Sequence, residues 1–240
     1  MIERWRDARP GWVSWLRVLA HLGRAPRVTD LDPRARRAAI FAAIYERNRW
    51  NDAESRSGSG ANRRAASTVR ETLPSLVTEF GVRTLLDVPC GDFHWMSELE
   101  LAVERYVGGD IVPALIAENQ RRHGSARRRF MVLDLTTDPL PRAELVLCRD
   151  GLPHLAHADV LAALANVRAS GARWLLTTTY CGVQRSNPDI VSGDWRPLDL
   201  EKPPFSLPPP ARAWPEPLDE RGYEDKRLAL WPADALPAPR

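Results

Sequence analysis

Apolar residues recur along this chain in two rhythms. Short, nearly continuous apolar runs occur at TLLDV (84–88), ERYVGGDI (104–111), FMVLDL (130–135), ELVLCR (144–149) and ARWLLTTTY (172–180). Runs of that length without polar alternation predict strands buried on both faces. Between them lie stretches with apolar positions three and four apart, PALIAENQRRH (113–123) and HADVLAALANVRAS (157–170), which predict helices. Two further helices are expected upstream. DPRARRAAIFAAIYERNRW (32–50) offers Asp32 as a cap, Pro33 at the first helical position, and Ile40, Phe41, Ile44 and Tyr45 at helical spacing. Residues 63–80 form the other, with Gly81 placed to end it. Strands alternating with helices predict an α/β, Rossmann-like sheet, mostly parallel and covered by helices on both faces. KRLALWP (226–232) is a last strand, expected to run antiparallel.

The flanks break this rhythm. Residues 1–62 are expected to form a basic, Trp-containing helical arm and lid, joined to the main domain (63–240) by the small-residue loop SRSGSGAN (55–62). Residues 181–222, which include DWRPLDLEKPPFSLPPP (194–210), are Pro-rich and irregular. Such a long structureless stretch inside a domain predicts a substrate cover or a partner surface.

Composition narrows the classes. Cys90, Cys148 and Cys181 are too few and too scattered for a disulfide framework, and no CxxC pair suggests zinc, so a reducing, cytoplasmic setting is expected and no metal. Arginine supplies nearly all the positive charge, the only lysines being Lys202 and Lys226. RRHGSARRRF (121–130) therefore reads as a solvated helix end and turn more readily than as a phosphate patch. GWVSWLRVLAHLG (11–23) is shorter than the ~18 residues a membrane span needs and lacks a signal-peptide cleavage site. It is expected to pack on the domain or a partner, with peripheral membrane contact as the alternative.

The chemistry-bearing residues cluster at the carboxyl ends of the predicted strands, where open parallel sheets bind ligands. Asp87, Cys90, Gly91 and Asp92 follow the first strand; Asp110 ends the second, Asp134 the third, and Arg149 and Asp150 the fourth. Gly91 lets a ligand approach the backbone. Amides of a helix starting just beyond it could receive a carboxylate or polar ligand atoms. Asp110 follows Asp87 at the spacing where an acid meets a ribose diol. A dinucleotide-binding dehydrogenase would need GxGxxG here, but the turn reads PCGDFH (89–94).

LLDVPCGDFHW (85–95) resembles the first motif of class I S-adenosylmethionine (SAM)-dependent methyltransferases, with Pro89 and Phe93 standing where glycines are usual. The SGSGA loop, the CRD-then-His element (148–154) and the Trp-Arg-Pro segment (195–197) are similar to those of a bacterial methyltransferase-like subgroup, a likeness spanning residues 40–232. The resemblance implies SAM as cofactor, Asp110 on its ribose and Asp134 near its adenine. The surrounding contacts would come from Asp87, Pro89, Cys90, Gly91, Asp92, Trp95, Ile111, Leu135 and Arg149. It places the methyl-transfer site beside Cys148, Arg149 and Asp150. His154 or Asp150 is then a candidate base for an acceptor hydroxyl. Tyr45 and Trp50 form one expected wall of the acceptor pocket, and Trp195 and Arg196 the other, with Arg196 suited to an anionic group. No NPPY-like motif follows the fourth strand, which disfavours methylation of nucleic-acid bases. A small-molecule or saccharide oxygen remains as the expected acceptor. The rival readings are a non-catalytic scaffold with this fold and, last, an RNA methyltransferase.

Overall fold

A computed structural model describes residues 31–182, 186–216 and 223–239. The expected arm of residues 1–30 lies outside the described residues, as do 183–185 and 217–222 of the Pro-rich stretch. Seven strands form one sheet: β1 (Thr84–Asp87), β2 (Arg105–Asp110), β3 (Arg128–Val132), β4 (Leu145–Cys148), β5 (Trp174–Tyr180), β6 (Arg212–Pro215) and β7 (Lys226–Pro232). Their order is β3-β2-β1-β4-β5-β7-β6. β1 to β5 pair in parallel, and β7 runs antiparallel to both β5 and β6. Chain order reverses between β1 and β4, which makes the carboxyl ends of those two strands the switch point where such sheets bind ligands.

Alternation along the strands explains the burial on both faces. Leu85, Leu145, Leu147 and Leu176 face a cluster containing α2 (Ser67–Glu79) and α3 (Pro113–His123). Leu86, Val146 and Leu175 face the opposite cluster, built around Val160, Ala163, Leu164 and Val167 of α4 (His157–Ala169). Helix α1 (Pro33–Glu46) starts as its sequence predicts: an Asp32 carboxylate oxygen accepts from Ala35 N at 3.0 Å. Gly81 ends α2 in the left-handed region at φ 58°. The Arg-rich segment is the end of α3 and a turn into β3, with Arg121 and Arg122 both paired to Glu118.

Three expectations need correction. The third strand is shifted to Arg128–Val132, so Asp134 lies two residues past its end. β6 falls inside the stretch read as irregular; it is a four-residue, mostly exposed edge strand ending in Pro215, with too little apolar signal to register. No helix follows β1. The connection 88–104 carries only a 3-10 turn (Met96–Glu98), so it offers no helix-start amides. Phe93 fills that region: held at φ 59°, its ring lies 5.0–5.2 Å from Tyr106, Phe130 and His123.

The Pro-rich stretch is partly structural. Leu198, Leu200, Phe205 and Leu207 are buried in the α4-side cluster, and the Trp231 indole N–H donates to Pro208 O at 2.8 Å. Among the described residues no helix is long and apolar enough to cross a membrane.

Candidate functional site

The carboxyl ends of β1 and β2 bring Asp87, Cys90, Gly91 and Asp110 together. The Asp110 carboxylate accepts from Gly91 N at 3.2 Å and from Val112 N at 3.1 Å, one bond to each oxygen. The Ile111 N–H also acts on this carboxylate, and since a carboxylate has about four acceptor sites, acceptor capacity is left over. Burial pushes the Asp110 pKa up to about 6, against the help of these backbone donors. Asp87 is buried beside it, accepts from the Tyr106 hydroxyl at 2.6 Å, and is raised by burial to about 7. Cys90 and Cys148 are buried free thiols; burial pushes Cys148 up to about 12 and Cys90 well above its ordinary value. Both behave as small apolar groups.

Gly91 adopts φ +53°, and a Cβ there would lie 2.6 Å from Ser57 Oγ. The 55–60 loop thus occupies the space beside Gly91. Asp92 holds it in place. Its carboxylate accepts from Ser55 Oγ at 2.9 Å and from Arg56 N at 3.0 Å, while its own N–H donates to Ser57 Oγ at 2.8 Å. Beyond Asp92 opens a polar cavity of about 710 Å³, lined by Tyr45, Glu54, Asp92, His94, Glu118 and Asn119 among others. Asn119 also donates to Gly91 O at 2.7 Å, tying α3 to the turn.

Asp134 is engaged elsewhere. Arg37, buried on α1, donates to one of its oxygens from Nε at 3.1 Å and from Nη2 at 2.8 Å. Thr136 donates to the other from its N–H and hydroxyl. Arg37 also reaches Asp159 at 2.8 Å, so α1 is pinned across β3 and α4. Ile111 is half-buried and Leu135 buried near these strand ends.

A second group forms past β4. Arg149 is buried and fully engaged: Nε donates to Glu216 at 2.7 Å, and the other two nitrogens donate to Gly60 O and Ala65 O. Its guanidinium also lies 5.8 Å from the ring centre of buried Trp95. Asp150 stands at φ 54°, next to Lys226 Nζ at 2.9 Å; the same ammonium lies 3.3 Å from Glu216. Burial alone would raise the Asp150 pKa, but Lys226 and Arg149 outweigh it and hold the carboxyl far below the usual range. The half-buried Pro89 packs close to Gly151, where a Cβ would lie 2.5 Å from its ring.

His154 sits on a 3-10 turn (Leu152–His154) beyond Asp150. Its Nδ1 lies 2.9 Å from Asp194 O. A carbonyl oxygen can only accept, so Nδ1 carries the proton and Nε2 keeps its lone pair. Burial lowers the imidazole pKa, favouring this neutral form. The Trp50 ring lies 4.9 Å from the His154 ring. Arg196 is buried beneath the same turn, whereas Trp195 is 41% exposed and packs on Tyr180 and Tyr223.

Of the residues singled out from sequence, Asp87, Cys90, Gly91 and Asp110 share one place, and Trp50, His154 and Arg196 gather by the turn after β4. Tyr45 lines the cavity on the Asp92 side. Arg37, Tyr106, Asn119, Glu216 and Lys226 were not foreseen. Only Lys226 carried a signal, as one of two lysines in an arginine-dominated chain.

No protein-family model matches the sequence, and no curated protein does. Solved structures do. The N-methyltransferase NodS from Bradyrhizobium japonicum WM9, in complex with S-adenosyl-l-homocysteine, aligns with TM-score 0.58 and 14% identity over 80% of this chain and 97% of that one. Magnesium protoporphyrin IX methyltransferase (ChlM) from Synechocystis PCC 6803, with bound SAM, aligns with TM-score 0.55 and 15% identity over 83% and 96%. The methyltransferase domain of bacterial CtHen1 gives TM-score 0.51 and 11% identity over 70% and 99%. With the strand order and the antiparallel β7, these likenesses show that the chain has the Rossmann-like fold of class I methyltransferases.

Proposed function

We propose that the protein is a SAM-dependent methyltransferase acting on an oxygen of a small molecule or saccharide. The observation that carries this reading is the buried Asp110 carboxylate at the end of β2, beside the switch point of a methyltransferase-type sheet, engaged by backbone N–H groups and by no cationic side chain that is within hydrogen-bond distance among the described residues. That arrangement fits a ribose diol. The SAM-bound and SAH-bound structures of similar fold support the same cofactor. At the Gly91 end the fit requires movement, because Ser57 must leave the space it fills. Residues 31–62 then act as a lid that includes α1 and the 55–60 loop.

Bound SAM would supply a methyl group already activated by its sulfonium. The chain's own residues bind, orient and take up a proton. Asp110 holds the diol, with Asp87, Ile111 and Leu135 around it. Asp134 reinforces the lid through Arg37 rather than offering a free acceptor. His154 removes the acceptor's hydroxyl proton at Nε2, the nitrogen left basic by the Asp194 contact. Asp150 is too firmly held as a carboxylate by Lys226 to serve as that base, and it orients the site instead.

Calorimetric titration with SAM and S-adenosylhomocysteine, with mass spectrometry of the protein as purified, tests the reading. Micromolar binding of either supports it. No binding at millimolar ligand refutes it and leaves the scaffold alternative, which draws on Ser57 filling the gap beside Gly91.

A further inference from the structure

Arg196 is an anomaly of charge. The residue is 3% exposed, and its Nη1 donates to Pro153 O at 3.0 Å. Its Nε and Nη2 are buried and have no partner among the described residues. A guanidinium shut away from water with two idle N–H groups is costly unless an acceptor arrives. The idle atoms are not a random pair. Nε and Nη2 share one edge of the planar fork, the edge that donates two parallel bonds to the two oxygens of a carboxylate. Nη1, on the other side, fixes the plane.

The setting ties this fork to the candidate base. Arg196 N and Nη1 both donate to Pro153 O, the neighbour of His154. Gly193 N donates to His154 O, and the His154 ring donates to Asp194 O. Imidazole and guanidinium are therefore pinned to the same two short segments, 152–154 and 193–196. Asp189, the acid whose charge acts on Arg196, is exposed and spends an oxygen on His157 N and Ile190 N. It makes no hydrogen bond to the idle edge of the fork.

We propose that the methyl acceptor is a hydroxyl-bearing carboxylate whose carboxylate docks on Nε and Nη2 of Arg196, setting its hydroxyl toward His154. The acceptor role rests on the methyltransferase reading above; the carboxylate site itself does not. Hydroxy acids and sugar acids belong to this class, and neutral alcohols and amines do not.

The test uses the whole chain and three acid and neutral pairs: acetate and acetamide, benzoate and benzamide, glucuronate and glucose, at matched ionic strength. At least one acid should raise the wild-type melting temperature by roughly 3–6 °C at ten times its Kd, and its neutral partner should not. Arg196→Gln should abolish the rise. Arg196→Lys keeps the charge but loses the fork, and should bind at least about tenfold more weakly. Should both variants fail to fold, slower phenylglyoxal modification of the Arg196 peptide in wild-type protein with the acid present assigns the site, and an unchanged rate overturns it. No acid-specific shift in the wild type, or a shift that survives Arg196→Gln, also overturns it. SAM titrated into the same samples separates the two proposals. Acid binding without SAM binding removes the methyltransferase reading alone, and SAM binding without an acid effect removes this one alone.

Discussion

Asp110→Asn separates a ligand-binding acid from a structural cap. Burial raises the Asp110 pKa from 3.8 to about 6. Two units at about 1.4 kcal/mol each put a penalty on the order of 3 kcal/mol on the folded state at neutral pH. The sign follows from proton counts. Between about pH 4 and pH 6 the folded protein holds a proton on Asp110 that the unfolded chain has released. The Asp110 contribution to folding stability therefore falls as pH rises through that window and levels off above it, while Asp87, raised to about 7, extends the fall further. Asn removes the penalty. It also loses one of the two backbone bonds, since its amide N–H₂ would face Gly91 N or Val112 N, at a cost of about 1–3 kcal/mol. Stability of the ligand-free protein at pH 8 should thus stay within about 2 kcal/mol of wild type, by the balance of these two terms. The variant should also show a shallower fall in stability between pH 4 and pH 6, measured by urea denaturation at several pH values. Ligand affinity should behave differently. A ribose diol donating to a charged carboxylate makes bonds of about 1.5–3 kcal/mol each, and weakening both lowers SAM affinity on the order of 100-fold. Calorimetry reads this directly. Equal SAM affinity in variant and wild type would refute the assignment of Asp110 to the ribose.

Other outcomes follow from the same geometry. Lys226→Met leaves Asp150 and Glu216 with Arg149 as their one remaining shared cation, and should cost up to about 3–5 kcal/mol in urea denaturation; adding Asp150→Asn should recover part of it. Gly91→Ala meets both a left-handed φ and a 2.6 Å contact with Ser57 Oγ, and a thermal melt should show a loss of about 1–3 kcal/mol. With an acceptor in hand, His154→Gln should lower methyl transfer on the order of 10²- to 10⁴-fold while leaving SAM affinity unchanged; unaltered turnover would remove His154 from the reaction.

What was legible in the sequence was what local pattern dictates. β1, β4 and β5 declare themselves because both their faces are buried, and α1 because Asp32 and Pro33 set its start. Asp87 and Asp110 were legible because a strand followed by an acid is a local signal. The Arg37–Asp134 pair was not, since its partners stand 97 residues apart and meet only when α1 lies across the sheet. Glu216 and Lys226 were hidden for the same reason: their meeting with Arg149 and Asp150 depends on β7 being antiparallel beside β5. The missing helix after β1 follows from Phe93, whose left-handed turn and inward ring replace helical packing with a plug.

The 55–65 segment is held in two unlike ways, which fixes where an opening can occur. Gly60 O and Ala65 O accept from Arg149, itself buried and paired to Glu216, so that end is fastened to the sheet. Ser55, Arg56 and Ser57 reach the turn after β1 through the half-buried Asp92. Gly58, at φ 95° between the two ends, is the natural pivot. Three bonds of about 0.5–1.5 kcal/mol each set a closing energy on the order of 2–4 kcal/mol. A ligand that needs the space beside Gly91 has its apparent affinity reduced by the corresponding closed fraction. Ser57→Gly deletes the atom in that space and one of the three bonds, so SAM should bind up to about tenfold more tightly to the variant. Weaker binding would mean instead that the Ser57 hydroxyl contacts the ligand, and that the loop completes the site rather than blocking it.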